Sequence, residues 1–82
     1  MTVETARWRE AVSATIRAER AARRLTQDEV VARTGIPKPT YLRYEHGQRL
    51  PDLAVLAAIA NDAFGVPLSV LVSLVAARAE TD

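Results

Sequence analysis

The sequence predicts an all-α fold of five helices, forming one small domain over residues 1–82. Three observations support this prediction. Residue types that favour helix, above all alanine, leucine, arginine and glutamate, are abundant throughout the chain. No segment alternates cleanly between apolar and polar residues, as a half-buried strand would. Apolar residues instead recur at spacings of three and four, and glycine or proline separates the apolar segments.

The first helix is expected from about Thr5 to Arg23. Trp8, Val12 and Ile16 recur at every fourth residue and therefore fall on one face of a helix. Arginine at the end of this segment suits the negative C-terminal end of a helix dipole.

The second helix follows the capping-box pattern Thr26-Gln27-Asp28-Glu29. In such a box the Thr26 hydroxyl accepts a backbone N–H, and the Glu29 carboxylate reaches back to the cap residue. We expect this helix to run to about Thr34. Gly35 should end it, because glycine adopts positive φ most readily.

Two prolines, Pro37 and Pro39, open the third helix. The residue before a proline avoids the α region, so we expect Lys38 to precede the helix and Pro39 to lie in its first turn. Gly47 should close the helix. Its buried side is expected to carry Ile36, Tyr41 and Tyr44.

The last two helices are separated by a second glycine–proline boundary. Pro51-Asp52 should begin the fourth helix, Gly65 should end it, and Pro67 should start a fifth helix from about Leu68 to Ala79. The residues expected on the core face of the fourth helix are Leu53, Leu56, Ile59, Ala60 and Phe64.

The composition argues against several classes of protein. The absence of cysteine excludes a disulfide scaffold and thiolate zinc sites, and it fits the reducing cytoplasm, where we expect the protein to act. A single histidine argues against a metal site, and the three glycines are not spaced as a phosphate-binding loop. No apolar run approaches about 18 residues, so we expect no membrane span. We expect no enzyme activity, cofactor or small-molecule ligand, because no nucleophile–base constellation is visible.

The charge is divided unevenly along the chain. Residues 1–50 carry ten Lys and Arg against six Asp and Glu, whereas residues 51–82 carry one Arg against four acids. The basic first half suggests a local anionic partner such as nucleic acid, although arginine could simply be the favoured surface charge of this chain.

The segment from Leu25 to Arg49, LTQDEVVARTGIPKPTYLRYEHGQR, resembles the lambda-repressor-like, Xre-type helix-turn-helix family. The resemblance covers about residues 16–72, and its markers are Thr26-Gln27, Gly35-Ile36, Tyr44-Glu45 with Gly47, and the segment after Pro51. It implies sequence-specific binding of double-stranded DNA by a transcriptional regulator, in particular a repressor, whose helix-turn-helix is formed by the second and third helices. The alternative is a protein-interaction module, such as an antitoxin with secondary DNA binding.

Four residues on the outward face of the third helix are the candidates for base contacts. Arg43 could form a fork onto O6 and N7 of guanine, and Leu42 could touch a thymine methyl group. Lys38 could reach a guanine or a phosphate, whereas Pro39 can pack but cannot donate a hydrogen bond. The alternative for each is an ordinary solvent-exposed residue.

Phosphate contacts are expected from the edges of the motif. The resemblance implies that Gln27, at the start of the second helix, binds a phosphate and also braces the third helix. Thr40 lies in the first turn of the third helix, and the loop after that helix offers main-chain N–H groups and a cation. The loop residues in question are His46, Gln48 and Arg49. Such contacts position a protein on DNA without reading its sequence.

The resemblance also implies an ion pair between Arg20 and Glu45 that bridges the first and third helices. The alternative is two unconnected surface charges. At three positions the chain departs from the family pattern: Val31 replaces a small residue, Arg24 replaces a glycine, and Pro37 replaces the usual Ser or Thr cap. We expect the extra methyl groups of Val31 to push the third helix slightly outward, and the two prolines to delay its start.

The fifth helix is the expected dimer interface. Its residues Leu68, Leu71, Val72 and Val75 can face the core, which leaves Val70, Leu74 and Ala77 as a second apolar stripe. An exposed apolar stripe usually marks a partner surface, so we expect an isologous homodimer on an inverted-repeat operator. Trp8 could cover that stripe within one subunit, leaving a monomer, or widen it across the dimer axis.

Overall fold

In a computed structural model, which describes residues 2–81, five α-helices surround one apolar core. The described residues form no strand, and the predicted all-α fold is confirmed. The helices are α1 (Val3–Ala22), α2 (Gln27–Thr34), α3 (Lys38–Glu45), α4 (Leu53–Ala58), which continues into a π-helical turn (Ile59–Ala63), and α5 (Leu68–Ala79).

The two longest helices, α1 and α5, pack against each other and form one wall of the core. α1 begins two residues earlier than predicted, because the Thr2 hydroxyl accepts the Thr5 N–H at 3.1 Å and caps the helix. Val12 and Ile16 on α1 are buried, as their spacing predicted. The side chain of Arg7 donates to the carbonyl of Ala79 and so ties the start of α1 to the end of α5.

α4 differs from the prediction at both of its ends. Asp52 caps its start by accepting the Val55 N–H at 2.8 Å. Leu53, expected in the core, is 66% exposed; α4 has no fully buried residue, and within residues 53–63 the first buried residue is Ile59. The π-helical turn, closed by the Phe64 N–H donating to the Ile59 carbonyl at 3.0 Å, was not predicted.

The end of this π-helical turn is held by two arginines, one from α2 and one that directly follows α1. Arg33 of α2 donates to the Ala63 carbonyl at 3.1 Å, and Arg23 donates to the Phe64 carbonyl at 3.1 Å. The Arg23 guanidinium also lies 5.0 Å from the centre of the Phe64 ring. Cations near the C-terminal end of a helix stabilise its unpaired carbonyl groups, so these contacts fasten this turn to α1 and α2.

α5 begins and ends where the sequence predicted, at Leu68 and Ala79. Leu71, Val75 and Ala79, at spacings of four, form its buried line. Val72, expected in the core, is 40% exposed, because it lies about 100° around the helix from Leu71. Leu68 is half-buried. The predicted second stripe is exposed: Val70, Leu74 and Ala77.

No single helix within residues 2–81 is long and apolar enough to cross a membrane. Leu53–Ala63 and Leu68–Ala79 together meet the length and composition of a span, but they are bent by 111° relative to each other. Both segments supply buried residues to the core, including Ile59 and Leu71.

One residue in the link between α1 and α2 has a strained backbone. Arg24 has φ +54°, and among residues 2–81 it is the one non-glycine residue with positive φ. The family that the sequence resembles has a glycine at this position. An L-residue in the left-handed region costs about 1–2 kcal/mol.

Replacing Arg24 should therefore stabilise the fold. Arg24→Gly should raise the free energy of unfolding by about 0.5–1 kcal/mol, since relief of strain is partly offset by the greater freedom of glycine in the unfolded chain. Urea denaturation measures the change. Arg24→Ala removes the same charge but keeps a Cβ, so it should give no such gain; equal stabilisation by both variants would point to charge instead of backbone strain.

Candidate nucleic-acid interface

The helix-turn-helix unit consists of α2, a glycine turn and α3. The capping box at the start of α2 is complete: the Thr26 hydroxyl accepts the Glu29 N–H, and the Glu29 carboxylate accepts the Thr26 N–H, both at 3.0 Å. These bonds lower the pKa of Glu29. Gly35 ends α2 with φ +76°, and its N–H donates to the Val31 carbonyl at 2.9 Å. The predicted turn geometry is thus present.

α3 begins at Lys38, one residue earlier than predicted. The Tyr41 N–H donates to the Pro37 carbonyl at 3.0 Å, which closes the first turn around Lys38. Pro39 is tolerated in this turn, because an N–H at that position would have no partner within the helix. The expectation that the prolines delay the helix is therefore wrong, and Pro37 itself occupies the cap position without a side-chain hydrogen bond.

The inner side of α3 is anchored in the core. Ile36, Tyr41 and Tyr44 are buried, as the sequence predicted. Val31, on the facing side of α2, is half-buried against the core. That Val31 pushes α3 slightly outward stays a prediction. Because one side of α3 is fixed in this way, its opposite side must face solvent.

A buried carboxylate joins α3 to two other helices. Glu45, at the end of α3, is 1% exposed. The structure brings Arg20 and Glu45 together: Arg20 Nε lies 2.6 Å from Oε2, and Nη2 lies 3.1 Å from Oε1. Gln27 Nε2 donates to Oε1 at 3.1 Å, and the Tyr41 hydroxyl donates to Oε2. α1, α2 and α3 therefore meet at one carboxyl group.

The charges of this cluster reinforce each other. Burial by itself would raise the pKa of Glu45, but hydrogen bonds from Arg20, Tyr41 and Gln27 outweigh that effect and hold its pKa below the ordinary value. The hydrogen bond to Glu45 raises the pKa of Arg20. Burial, together with the adjacent carboxylate, raises the pKa of Tyr41. At neutral pH the cluster is thus an ionised pair with a neutral phenol.

The outer side of α3 carries the predicted base-contact residues. Lys38, Pro39 and Arg43 are exposed, whereas Leu42 and Thr40 are half-buried. Lys38 Nζ lies 2.7 Å from Oδ1 of Asp28 in α2, a contact that the sequence did not predict. Within residues 2–81, Arg43 forms no ion pair, so its guanidinium is directed to solvent without an internal partner.

The loop after α3 is fixed by its own backbone. His46, Gln48 and Arg49 are exposed, but the main-chain N–H groups of residues 46–49 all donate to carbonyls of α3. The N–H groups of Gln48 and Arg49 both reach the Arg43 carbonyl, at 2.9 and 3.3 Å. The expectation that these N–H groups are available to phosphate is therefore wrong, because they satisfy the end of the helix. Only the side chains of this loop remain available.

A second contact that the sequence did not indicate also fixes the end of α3. The side chain of Arg17, one turn before Arg20 on α1, donates to the backbone carbonyl of Glu45. The spacing of Arg17 and Arg20 places both on one face of α1, and this spacing was the one feature of the sequence that could have indicated the contact. The target is a carbonyl group, however, and a sequence pattern does not identify it.

The fold and the arrangement of α2, the glycine turn and α3 define a protein of the helix-turn-helix class. The Helix-turn-helix family matches residues 16–71, and the chain belongs to this family. Among curated proteins it is similar to the cryptic phage CTXphi transcriptional repressor RstR of Vibrio cholerae, with 43% identity over 61 residues. That match covers 74% of this chain and 54% of the repressor, so the chain spans about half the length of this relative. No solved structure matches.

Acid should weaken the fold through Glu45. Because folding lowers the pKa of this carboxyl group, its contribution to stability is fully present above its unfolded pKa of about 4.3 and is lost as pH falls through the lower folded pKa. Glu45→Gln should lower the free energy of unfolding by about 3 kcal/mol at neutral pH, since it strands Arg20. It should also flatten the dependence of stability on pH in acid, measured by chemical denaturation.

Two further variants complete this test. Tyr41→Phe keeps the buried ring and removes one hydrogen bond to the carboxylate, at a cost of about 1.5–3 kcal/mol. It therefore reports on the cluster even where Glu45→Gln leaves too little folded protein. Glu80→Gln is the control for loss of charge, because it removes one negative charge from an exposed site. An acid slope that is the same in wild type and Glu45→Gln would show that another group is responsible.

Proposed function

We propose that this protein is a transcriptional repressor that inserts α3 into the major groove of a specific operator. The observation that carries the proposal is the division of α3 into a buried side, with Tyr44 and Glu45, and an exposed side, with Lys38 and Arg43. An α-helix fits the major groove, which is about 12 Å wide. The similarity to a phage repressor supports the direction of regulation.

Base contacts are assigned to the exposed side of α3. Arg43 presents a fork of N–H donors that matches O6 and N7 of guanine. Lys38 offers a single cation near the start of the helix, and Leu42 and Pro39 offer apolar contacts. These four residues are proposed to read the sequence.

Phosphate contacts are assigned to side chains around the motif. Gln27 uses one N–H of its amide for Glu45, which leaves a second N–H for a phosphate oxygen. Thr40 and the exposed side chains of the following loop would contact the backbone on either side of the groove. The loop residues are His46, Gln48 and Arg49.

We further propose that the protein acts as a homodimer on an inverted repeat. Val70 and Leu74 are 41% and 37% exposed although both are apolar. Leu74 and Ala77 line an open groove of about 770 Å³ between α1 and α5. Trp8 lines a different groove together with Val72. The stripe is thus left for a second copy of the chain.

Selection of bound duplexes from a random DNA pool tests the whole proposal. An enriched inverted repeat would support a dimeric, sequence-specific regulator, and an enriched single site would support binding without the dimer. Absence of enrichment even at low salt would contradict the proposal and favour the protein-interaction module. Repression of a reporter placed behind the selected sequence then tests the direction of regulation.

Arg43→Ala should weaken binding to the selected operator by about 1–3 kcal/mol and relax the preference at one base pair. Arg49→Ala is the matched control, because it also removes an exposed arginine side chain, but one that is proposed to contact a phosphate. It should weaken operator and random duplex alike and reduce the salt dependence of binding. Titration by fluorescence anisotropy measures both variants. An unchanged selected motif for Arg43→Ala would contradict the proposed docking of α3.

Leu74→Lys should give a folded monomer with much weaker operator binding, because a charge in the apolar stripe opposes association. Val72→Lys is the matched control on the same helix, since Val72 is similarly exposed (40%) but lines the other groove. It should remain dimeric. Sedimentation velocity measures both variants. A wild-type protein that is monomeric at high micromolar concentration without DNA would contradict a pre-formed dimer.

A further inference from the structure

An ion pair connects the first turns of the two helices of the motif. Lys38, the first residue of α3, places Nζ 2.7 Å from Oδ1 of Asp28, the second residue of α2. The side chains are 47% and 75% exposed, so the pair lies on the surface. It therefore stands at the edge that the proposed function places against DNA.

An acidic side chain at this edge should weaken the binding of DNA, so its presence needs an explanation. Each phosphate of the duplex repels the carboxylate of Asp28, and neutralisation of phosphates by cations supplies most non-specific affinity. The effect of Asp28 on affinity for arbitrary DNA must therefore be negative. Thr26 and Glu29 already cap α2, and the interaction of Asp28 with the dipole of α2 makes only a small contribution to stability.

The contact with Asp28 restricts where the Lys38 ammonium group can lie. An ammonium group on a four-carbon stem is a flexible point charge, and phosphate oxygens outnumber base acceptors around it. Its contact with Asp28 uses one of three N–H donors and restricts the stem. The remaining donors can then face acceptors on the floor of the groove, such as O6 and N7 of guanine.

We propose that Asp28 is a positioning residue that holds Lys38 toward base edges and away from phosphates, and thereby increases sequence specificity. This inference rests on the proposed function of α3. Arg43 needs no such partner, because its planar fork already matches guanine.

The test is a double-mutant cycle on binding to the selected operator and to a random duplex over a range of salt concentrations. Asp28→Asn should increase the affinity for random DNA more than that for the operator, so that the ratio of the two affinities falls about five-fold or more. Its salt dependence on random DNA should steepen by about 0.9 in log–log slope, the value of one added phosphate contact. In a Lys38→Met background, Asp28→Asn should leave the ratio of the two affinities unchanged and add no phosphate contact, because only the equal relief of repulsion remains. Asp62→Asn, the same change at an exposed site outside the motif, is the control.

The outcomes separate this inference from the proposed function. Equal gains on operator and random DNA, or a fall in the affinity ratio that persists without Lys38, would show that Asp28 does not act through Lys38 and would overturn the inference alone. A wild-type protein that prefers no sequence would overturn the proposed function and this inference with it. Thermal melts monitored by circular dichroism establish that every variant is folded.

Discussion

The buried carboxylate of Glu45 is the constraint on which the arrangement of the motif depends. A carboxylate withdrawn from water is costly unless its oxygens are satisfied, and here Arg20, Gln27 and Tyr41 satisfy them from three different helices. All three helices must therefore hold their positions together, because displacement of a partner leaves the buried carboxylate without a compensating contact. The cluster thus favours the orientation of α3 in which all three partners reach the carboxylate.

That external support is needed because α3 is a weak helix by itself. It has eight residues, two prolines in or next to its first turn, and no side-chain cap at its start. Isolated helices shorter than about 12–15 residues are marginal in water. Its stability must come from the buried tyrosines on one side and from α1, which holds its end through Arg17 and Arg20. The outer side of α3 is then free of structural duties, and its residues can be chosen for what they contact.

Local signals in the sequence predicted the parts of the fold that are locally determined. The capping box at Thr26 and the left-handed Gly35 depend on a few neighbouring residues, and both lie where the pattern placed them. The π-helical turn after α4 and the exposure of Leu53 depend on how that helix meets the core, which periodicity does not encode. In the site, the resemblance to a family paired Arg20 with Glu45. The contact between Asp28 and Lys38 was not predictable, because ten residues separate them and only the turn between the helices brings them together.

The two acids of the motif show why position decides what a charge does. Glu45 is buried, and Arg20 neutralises its charge, so little of that charge is felt at the surface. Its role is to fix the position of α3 relative to α1 and α2. Asp28 is exposed, where water screens its attraction to Lys38 and a surface pair of this kind contributes only about 0–1 kcal/mol to folding. The contact with Lys38 therefore adds little to stability, and in the proposed complex the charge of Asp28 acts chiefly on the approaching phosphates. If α3 docks as proposed, its directed lysine and its unpaired arginine would separate recognition of bases from attraction to the backbone, and specific recognition of DNA requires that separation.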